Sequence, residues 1–171
     1  WFSAQGLLHE AVEQALFAGQ PDVAASLVQG LSEEQLLAEQ NVGMLLRWKM
    51  DLPDSLLIST PRLIVLYSWA LGLACQLDAA EELSGHLSRF LPAPSATAQK
   101  SMLAQWLALS GIIARGRGDR LKTRSYCQQA LRSLPAPFNG LGVFTNYTVA
   151  TSSANFPTRP GEKLPFIGQS R

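Results

Sequence analysis

Two histidines and two cysteines are the first candidates for metal ligands, nucleophiles or general bases in this sequence. His9 and His86 fall on different predicted helices, and His9 precedes Glu13 by four residues, which is the spacing of a helical ion pair. Cys75 and Cys127 occupy similar places in their helical pairs, as small core residues do. A redox switch at either cysteine stays open, and Cys127 follows a basic stretch that would favour its thiolate. No acid–base pair or metal-ligand cluster emerges, so we expect a non-enzymatic segment without a cofactor.

A dense run of positive charge is the second candidate for chemistry. Five basic residues fall within ten positions around a predicted turn: Arg115, Arg117, Arg120, Lys122 and Arg124. Asp119 offsets one of these charges. The run is either a solvated turn or a patch that docks an anion or a protein. The run does not match a phosphate-binding loop, because Gly116 and Gly118 follow a predicted helix rather than a strand.

Three aromatic residues form the third candidate, a groove that would bind a ligand or partner. Tyr67, Trp69 and Trp106 lie on predicted helices that are apolar on all sides, where aromatic residues are usually core. Tyr67 and Trp69 are two positions apart and must point in different directions. We therefore expect one of the three to face a groove or a neighbouring repeat.

Composition excludes several classes of protein. The chain has 171 residues, of which 47% are hydrophobic and 16% are charged, and this is typical of a globular domain. Fourteen basic and thirteen acidic residues give a net charge of +1, so no direct contact with nucleic acid is expected. The longest apolar block, residues 63–74, is too short to span a membrane. Two cysteines indicate a reducing compartment, and we expect a cytoplasmic protein. The chain begins in a helical pattern without methionine, which indicates a fragment.

Helical spacing and helix punctuation extend to Pro135. The pattern predicts helices over residues 3–18, 21–30, 42–50, 62–76, 78–91, 97–115 and 119–134, with a short helix starting at Ser32. Thr60 and Pro61 form an N-cap followed by an N1 proline, and a second N-cap is predicted at Asp78. No strand is required before residue 135.

The predicted helices form pairs that resemble one another. In the last pair, small residues and a terminating proline fall at the positions of a tetratricopeptide repeat: Leu107, Gly111, Ala114, Gly118, Thr123, Cys127, Ala130 and Pro135. Gly111 and Ala130 are predicted to let the two helices approach closely. Ala24, Ala80 and Thr123 mark the same place in three pairs, 56 and then 43 residues apart. We therefore predict an all-α fold, an α-α superhelix of tetratricopeptide-like hairpins over residues 1–135.

Four short runs resemble the MalT-like, ATP-dependent transcriptional regulators of the LuxR type: residues 10–19 (EAVEQALFAG), 46–53 (LRWKMDLP), 61–63 (PRL) and 69–71 (WAL). The resemblance implies a helical-repeat segment between an ATPase module and a helix-turn-helix domain. Such a segment would bind a small-molecule inducer or a regulatory protein, couple binding to assembly and possess no nucleotide site. The alternative is a general protein-interaction scaffold. An enclosed pocket would favour the inducer-binding segment, and an open polar groove would favour the scaffold.

Residues 136–171 break the helical pattern. They contain four prolines, four glycines and a single acidic residue, Glu162. Residues 143–149 are predicted to be extended, and residues 156–170 to be coil. We expect an irregular tail that is a divergent end, an artefact of the reading frame or a docking strand. If ordered, it should lie against the helical repeats or a second molecule.

Overall fold

The described part of the protein is helical, as the sequence predicts. The computed structural model describes residues 2–31, 39–90 and 96–133, with side chains for 7–31, 41–90 and 100–133. These residues form α1 (Phe2–Phe17), α2 (Pro21–Gln29), α3 (Glu39–Asp51), α4 (Asp54–Leu57), α5 (Pro61–Leu73), α6 (Leu77–Gly85), a 3-10 helix (His86–Phe90), α7 (Ala96–Gly116) and α8 (Arg120–Ser133). Over these ranges no strand occurs, and no helix is long and apolar enough to cross a membrane.

Three helical pairs share one turn conformation: hairpin 1 (α1–α2), hairpin 2 (α5–α6) and hairpin 3 (α7–α8). Each turn contains one residue in the left-handed region, Gly19 at φ +67°, Cys75 at +59° and Gly118 at +75°. The following residue donates its N–H to the carbonyl five positions back, as Asp119 does to Ala114 at 2.9 Å. This pattern is a Schellman motif. The three turn residues are 56 and 43 residues apart, the spacing predicted from the sequence.

Burial in the second helices repeats with the same spacing. Counting from the turn residue, positions 5, 9 and 12 are buried in every hairpin: Ala24, Val28 and Leu31, then Ala80, Ser84 and Leu87, then Thr123, Cys127 and Ala130. The three hairpins are therefore equivalent units that can be aligned residue by residue through their turns. Two helices lie between hairpins 1 and 2. The sequence predicted α3, over residues 42–50, but it did not predict the short helix α4.

Cys75 stands where the other two turns have glycine, and this yields a stability prediction. A residue with a Cβ is strained in the left-handed region, while glycine is not. We expect Cys75→Gly to raise the free energy of unfolding by about 0.5–1 kcal/mol after the entropy of the added glycine is offset. Gly118→Ala, with open space around the new Cβ, should lower it by about 1 kcal/mol. Urea denaturation measures both, and equal effects of the same sign would contradict the prediction.

Helix α5 is the centre of the part of the chain that the structure describes. All ten residues from Leu63 to Gly72 are buried, because α2, α3, α6 and α7 pack around this helix. Its predicted start is confirmed, since the Thr60 side chain accepts a hydrogen bond from the Leu63 N–H at 3.3 Å and Pro61 occupies the first turn.

Two details of the helix boundaries differ from the prediction. The N-cap of α6 is Gln76 rather than Asp78, because the left-handed residue at 75 lets the helix start at Leu77. The predicted helix over 78–91 changes to a 3-10 helix at His86. The capping box at Ser32 and the tail over residues 136–171 lie outside the described residues.

The predicted close approach of α7 and α8 is confirmed at Gly111. Gly111 is buried against α8, where a Cβ on it would lie 2.8 Å from the Cys127 Sγ. Ala130 is fully buried one turn further along α8. The absence of a side chain at Gly111 thus lets the two helices of hairpin 3 lie this close.

Candidate functional site

A groove of about 410 Å³ lies between hairpins 2 and 3. We call it the Trp106 groove. Helix α6, helix α7, the turn after α7 and helix α8 supply its lining: Glu81, Ser84, Gly85, Trp106, Ser110, Ile113, Ala114, Arg117, Asp119, Lys122 and Tyr126. Its floor consists of buried residues of the two packed hairpins, so the groove follows from the stacking of equivalent units.

One end of the groove is aromatic. Trp106 of α7 is 36% exposed, and its ring meets Tyr126 of α8 edge to face with centroids 6.4 Å apart. Such a pair is stabilised by the complementary charge of ring edge and ring face. The partly exposed indole leaves an aromatic surface against which an incoming apolar or cationic side chain can pack.

The other end of the groove is charged and joins the two hairpins. Arg117 Nη2 lies 2.6 Å from Asp78 Oδ1, and its Nη1 lies 2.7 Å from Glu81 Oε2. These hydrogen bonds, to Asp78 first and Glu81 second, raise the pKa of the Arg117 guanidinium. A guanidinium that spans two carboxylates has its remaining N–H groups available for a ligand, because it carries five donors.

A second ion pair lies at the same end. The Asp119 carboxylate accepts a hydrogen bond from the Lys122 backbone N–H at 3.0 Å, and its other oxygen lies 3.1 Å from Lys122 Nζ. The backbone bond from Lys122 is the largest cause that lowers the pKa of Asp119, with the side-chain bond next. Asp119 therefore caps α8 and holds a lysine at the rim of the groove.

The basic run predicted as a docking patch is divided by the fold. Arg117 and Lys122 line the groove and are paired with Asp78, Glu81 and Asp119. Arg115, Arg120 and Arg124 are exposed and do not line it. As expected, Asp119 pairs with one of the five basic residues, Lys122. Hairpin 2 supplies two further carboxylates, Asp78 and Glu81, to Arg117 through tertiary contacts.

The predicted aromatic groove is also divided. Tyr67 is fully buried and Trp69 is 1% exposed, so neither lines a groove, and Trp106 is the member of the set at the surface. The physical reason is the central place of α5, which is covered on every side and leaves no direction in which Tyr67 or Trp69 could reach solvent.

Burial of Tyr67 gives a prediction on pH. Desolvation raises the pKa of the phenol, and its hydroxyl has no hydrogen-bond partner among the described residues. Because the phenol ionises less readily in the folded state, its contribution to folding stability is present below the ordinary tyrosine pKa of about 10 and is lost as pH rises above it. We expect the melting temperature of Tyr67→Phe to fall less steeply at alkaline pH than that of the unsubstituted chain. The same pH dependence of the melting temperature in both proteins would contradict the prediction.

The histidines and cysteines do not line the groove. His9 stacks on Trp48 with centroids 5.6 Å apart, and its Nε2 is 3.5 Å from Glu13 Oε1, so the predicted helical pair is confirmed. The prediction that both cysteines are small core residues is confirmed for Cys127, which is buried, and is wrong for Cys75, which is exposed because it is the left-handed residue of its turn. Burial is the main cause that raises the pKa of the Cys127 thiol, which favours the unreactive form. Among the described residues no group of three His, Cys, Asp or Glu could hold a metal.

A second depression, of about 570 Å³, lies between α1 and α3. Its lining includes Glu13, Phe17, Arg47, Trp48 and Asp51, and Arg47 forms an ion pair with Glu13. It contains none of the residues predicted from sequence as a site.

Comparison with known proteins gives a partial match. Over 91 residues, 53% of this chain, the sequence is 40% identical to "Serine/threonine-protein kinase PknK" of Mycobacterium tuberculosis, strains CDC 1551 / Oshkosh and ATCC 25618 / H37Rv, and of Mycobacterium bovis, strain ATCC BAA-935 / AF2122/97. The matched stretch is 8% of the length of these kinases. No family model and no solved structure matches the chain.

Proposed function

We propose that this chain is a regulatory helical-repeat segment, of tetratricopeptide-like type, that binds a segment of a partner protein in the Trp106 groove. One observation carries the proposal. Trp106 and the pair Arg117 and Lys122 come from two separately predicted sites, and all three residues line the same groove. An aromatic surface beside oriented charges suits recognition of a polypeptide, because aromatic and arginine side chains dominate the energetics of protein interfaces.

The lining favours a polypeptide over a small-molecule inducer. Pockets for small molecules are predominantly apolar. Here six of the eleven lining residues are charged residues or serines, and the charged ones are substantially exposed. The volume of about 410 Å³ is nevertheless within the range of small-molecule pockets, so an inducer is the second candidate.

The partial match supports a place in a larger signalling protein. The relatives are named as serine/threonine-protein kinases, and the matched stretch forms 8% of their length. A segment this small within a kinase fits an accessory role. The resemblance to MalT-like regulators suggests the same kind of role in a transcriptional regulator, where binding would be coupled to assembly.

We propose binding rather than catalysis for the groove itself. The hydroxyls of Ser84 and Ser110 donate to backbone carbonyls, at 3.0 Å to Glu81 and at 2.9 Å to Trp106. Neither serine is therefore oriented by a general base, as a nucleophile requires.

Photo-crosslinking tests the proposal. A benzophenone amino acid at position 106, introduced in cells that express the protein, is expected to form an adduct with one partner polypeptide. The same group at position 50, where Met50 is 84% exposed outside the groove, is the matched control.

The affinity of the identified partner then decides the matter. Trp106→Ala and Lys122→Glu should each weaken binding at least about tenfold in calorimetric titrations, while circular dichroism confirms folding. Unchanged affinity in both variants would contradict the proposal. An adduct with a small molecule in place of a polypeptide would favour the inducer.

A further inference from the structure

The depression between α1 and α3 is a second surface, and the proposed function does not use it. Its volume is about 570 Å³, and it shares no lining residue with the Trp106 groove. Its lining comes from residues 13–17 of α1 and residues 47–51 of α3. Because α1 ends at Phe17 and α3 ends at Asp51, the last turns of both helices lie at this depression.

The electrostatics of the depression favour a cation. The carbonyl groups at a helix C-terminus carry negative partial charge. No basic residue lies in the last turn of α1, and Lys49 in the last turn of α3 does not line the depression. Arg47 is paired with Glu13, whereas the Asp51 carboxylate has no hydrogen-bond or ion-pair partner among the described residues. The lining therefore has an excess of one negative charge beside two negative helix ends.

Two aromatic rings lie beside these charges. Trp48 is 1% exposed, and the imidazole of His9 stacks on its indole with centroids 5.6 Å apart, so the buried part of the lining is held in place. Phe17 is 92% exposed and forms part of the rim. A cation is attracted to the face of an aromatic ring, so rings and carboxylate favour the same kind of ligand.

Neither Asp51 nor Phe17 is explained by the fold itself. A carboxylate in the last turn of a helix opposes the helix dipole and lowers stability. A phenylalanine ring that stays in water contributes almost no hydrophobic stabilisation. Residues that break such local rules are typical of functional sites. A ligand with a cationic group and an apolar part would stabilise both side chains at once.

We infer that the depression docks a partner polypeptide through an arginine side chain of the partner, whose apolar neighbours cover Phe17. Arginine suits the site better than lysine, because a planar guanidinium stacks on aromatic rings and forms paired hydrogen bonds with a carboxylate. A polypeptide suits it better than a free cation, because Phe17 at the rim needs apolar cover from the residues that flank the arginine. The inference does not rest on the Trp106 groove.

Fluorescence anisotropy of the full chain with labelled peptides tests this inference. The probe is a pool of short peptides with a fixed central arginine and random apolar flanking residues. The matched control pool carries citrulline, the uncharged isostere of arginine, at the same position. We expect the arginine pool to bind at least about tenfold more tightly than the citrulline pool. High salt should weaken binding, because the carboxylate is exposed.

Substitutions locate the binding in the depression. Asp51→Asn and Phe17→Ala should each weaken binding of the arginine pool at least about fivefold. The melting temperature of Asp51→Asn should stay the same or rise, because an unfavourable charge is removed from a helix C-terminus. The controls are Asp22→Asn and Leu121→Ala, at exposed residues outside the depression, and they should leave the affinity unchanged.

Five results would overturn the inference. The first two are equal binding of the two pools and an equal loss of affinity in the control variants. Free arginine amide that binds as tightly as the pool would assign the depression to a small cation. An affinity that falls as the protein concentration rises would assign it to a second copy of the chain. A peptide of residues 156–171 that binds more tightly than the pool would assign it to the chain's own C-terminal residues.

Discussion

Replacing Trp69 with alanine is expected to lower the free energy of unfolding by about 3–5 kcal/mol. The indole is 1% exposed and lies on α5, around which four other helices pack. Removal of so large a side chain leaves a cavity that its neighbours fill only in part, and both lost transfer energy and lost contacts add to the cost. Denaturation in urea, followed by circular dichroism, measures the change.

Trp106→Ala is the matched control for Trp69. The same substitution at a 36% exposed position should cost less, about 1–2 kcal/mol, since part of the ring is already hydrated and the remainder loses its contact with Tyr126. The affinity for the partner should show the opposite order, with the larger loss in Trp106→Ala. Equal losses of stability at the two positions would contradict the division of these residues between core and groove.

The local features of the fold could be predicted from sequence because they depend on neighbouring residues. Thr60 and Pro61 mark a helix start through chemistry confined to one turn of helix. The spacing of Ala24, Ala80 and Thr123 recovers the equivalent hairpins, because each turn must place a small residue at the same point of its second helix. Gly111 was assigned to a helix contact by the same logic.

The failures concern features set by tertiary contacts. Whether Tyr67 and Trp69 face a groove depends on how many elements surround α5. The hydrophobic periodicity of α5 does not indicate this, because the helix is apolar on all sides. Asp78 fits a local capping pattern, yet its carboxylate binds Arg117, which is 39 residues away. Sequence spacing could have indicated this pair, since that separation is close to one hairpin repeat.

The groove illustrates the same limit. Its aromatic end and its charged end were each identified, but as separate sites, because Trp106 and Arg117 are three turns apart on one helical segment. Tyr126, Glu81 and Ser110 were missed, since their types are common and only the stacking of hairpins 2 and 3 brings them together. A binding groove between repeats is therefore assembled from residues whose significance appears only after the repeats are aligned.

Gly111→Ala is the second substitution with a large expected effect. The new Cβ would lie 2.8 Å from the Cys127 Sγ, closer than such atoms approach in proteins, and the α8 backbone N of Cys127 is 3.7 Å away. The helices must separate or the thiol must move within a buried contact, so we expect a loss of about 1–3 kcal/mol. Ala130→Leu should cost a similar amount, because it overpacks the same pair of helices at a fully buried position.

Gly43→Ala provides the control, because it makes the same change within helix α3 where nothing lies within 4 Å of the new Cβ. There alanine is the better helix former, and stability should rise by about 0.5–1 kcal/mol. The double variant Gly111→Ala with Cys127→Ala should recover part of the loss, since the clashing sulfur is absent. If Gly111→Ala melts no lower than Gly43→Ala, the close approach of α7 and α8 is wrong. A loss that Cys127→Ala does not relieve would instead place the strain in the backbone of α8, where an unchanged N–H of residue 127 still faces the new methyl group.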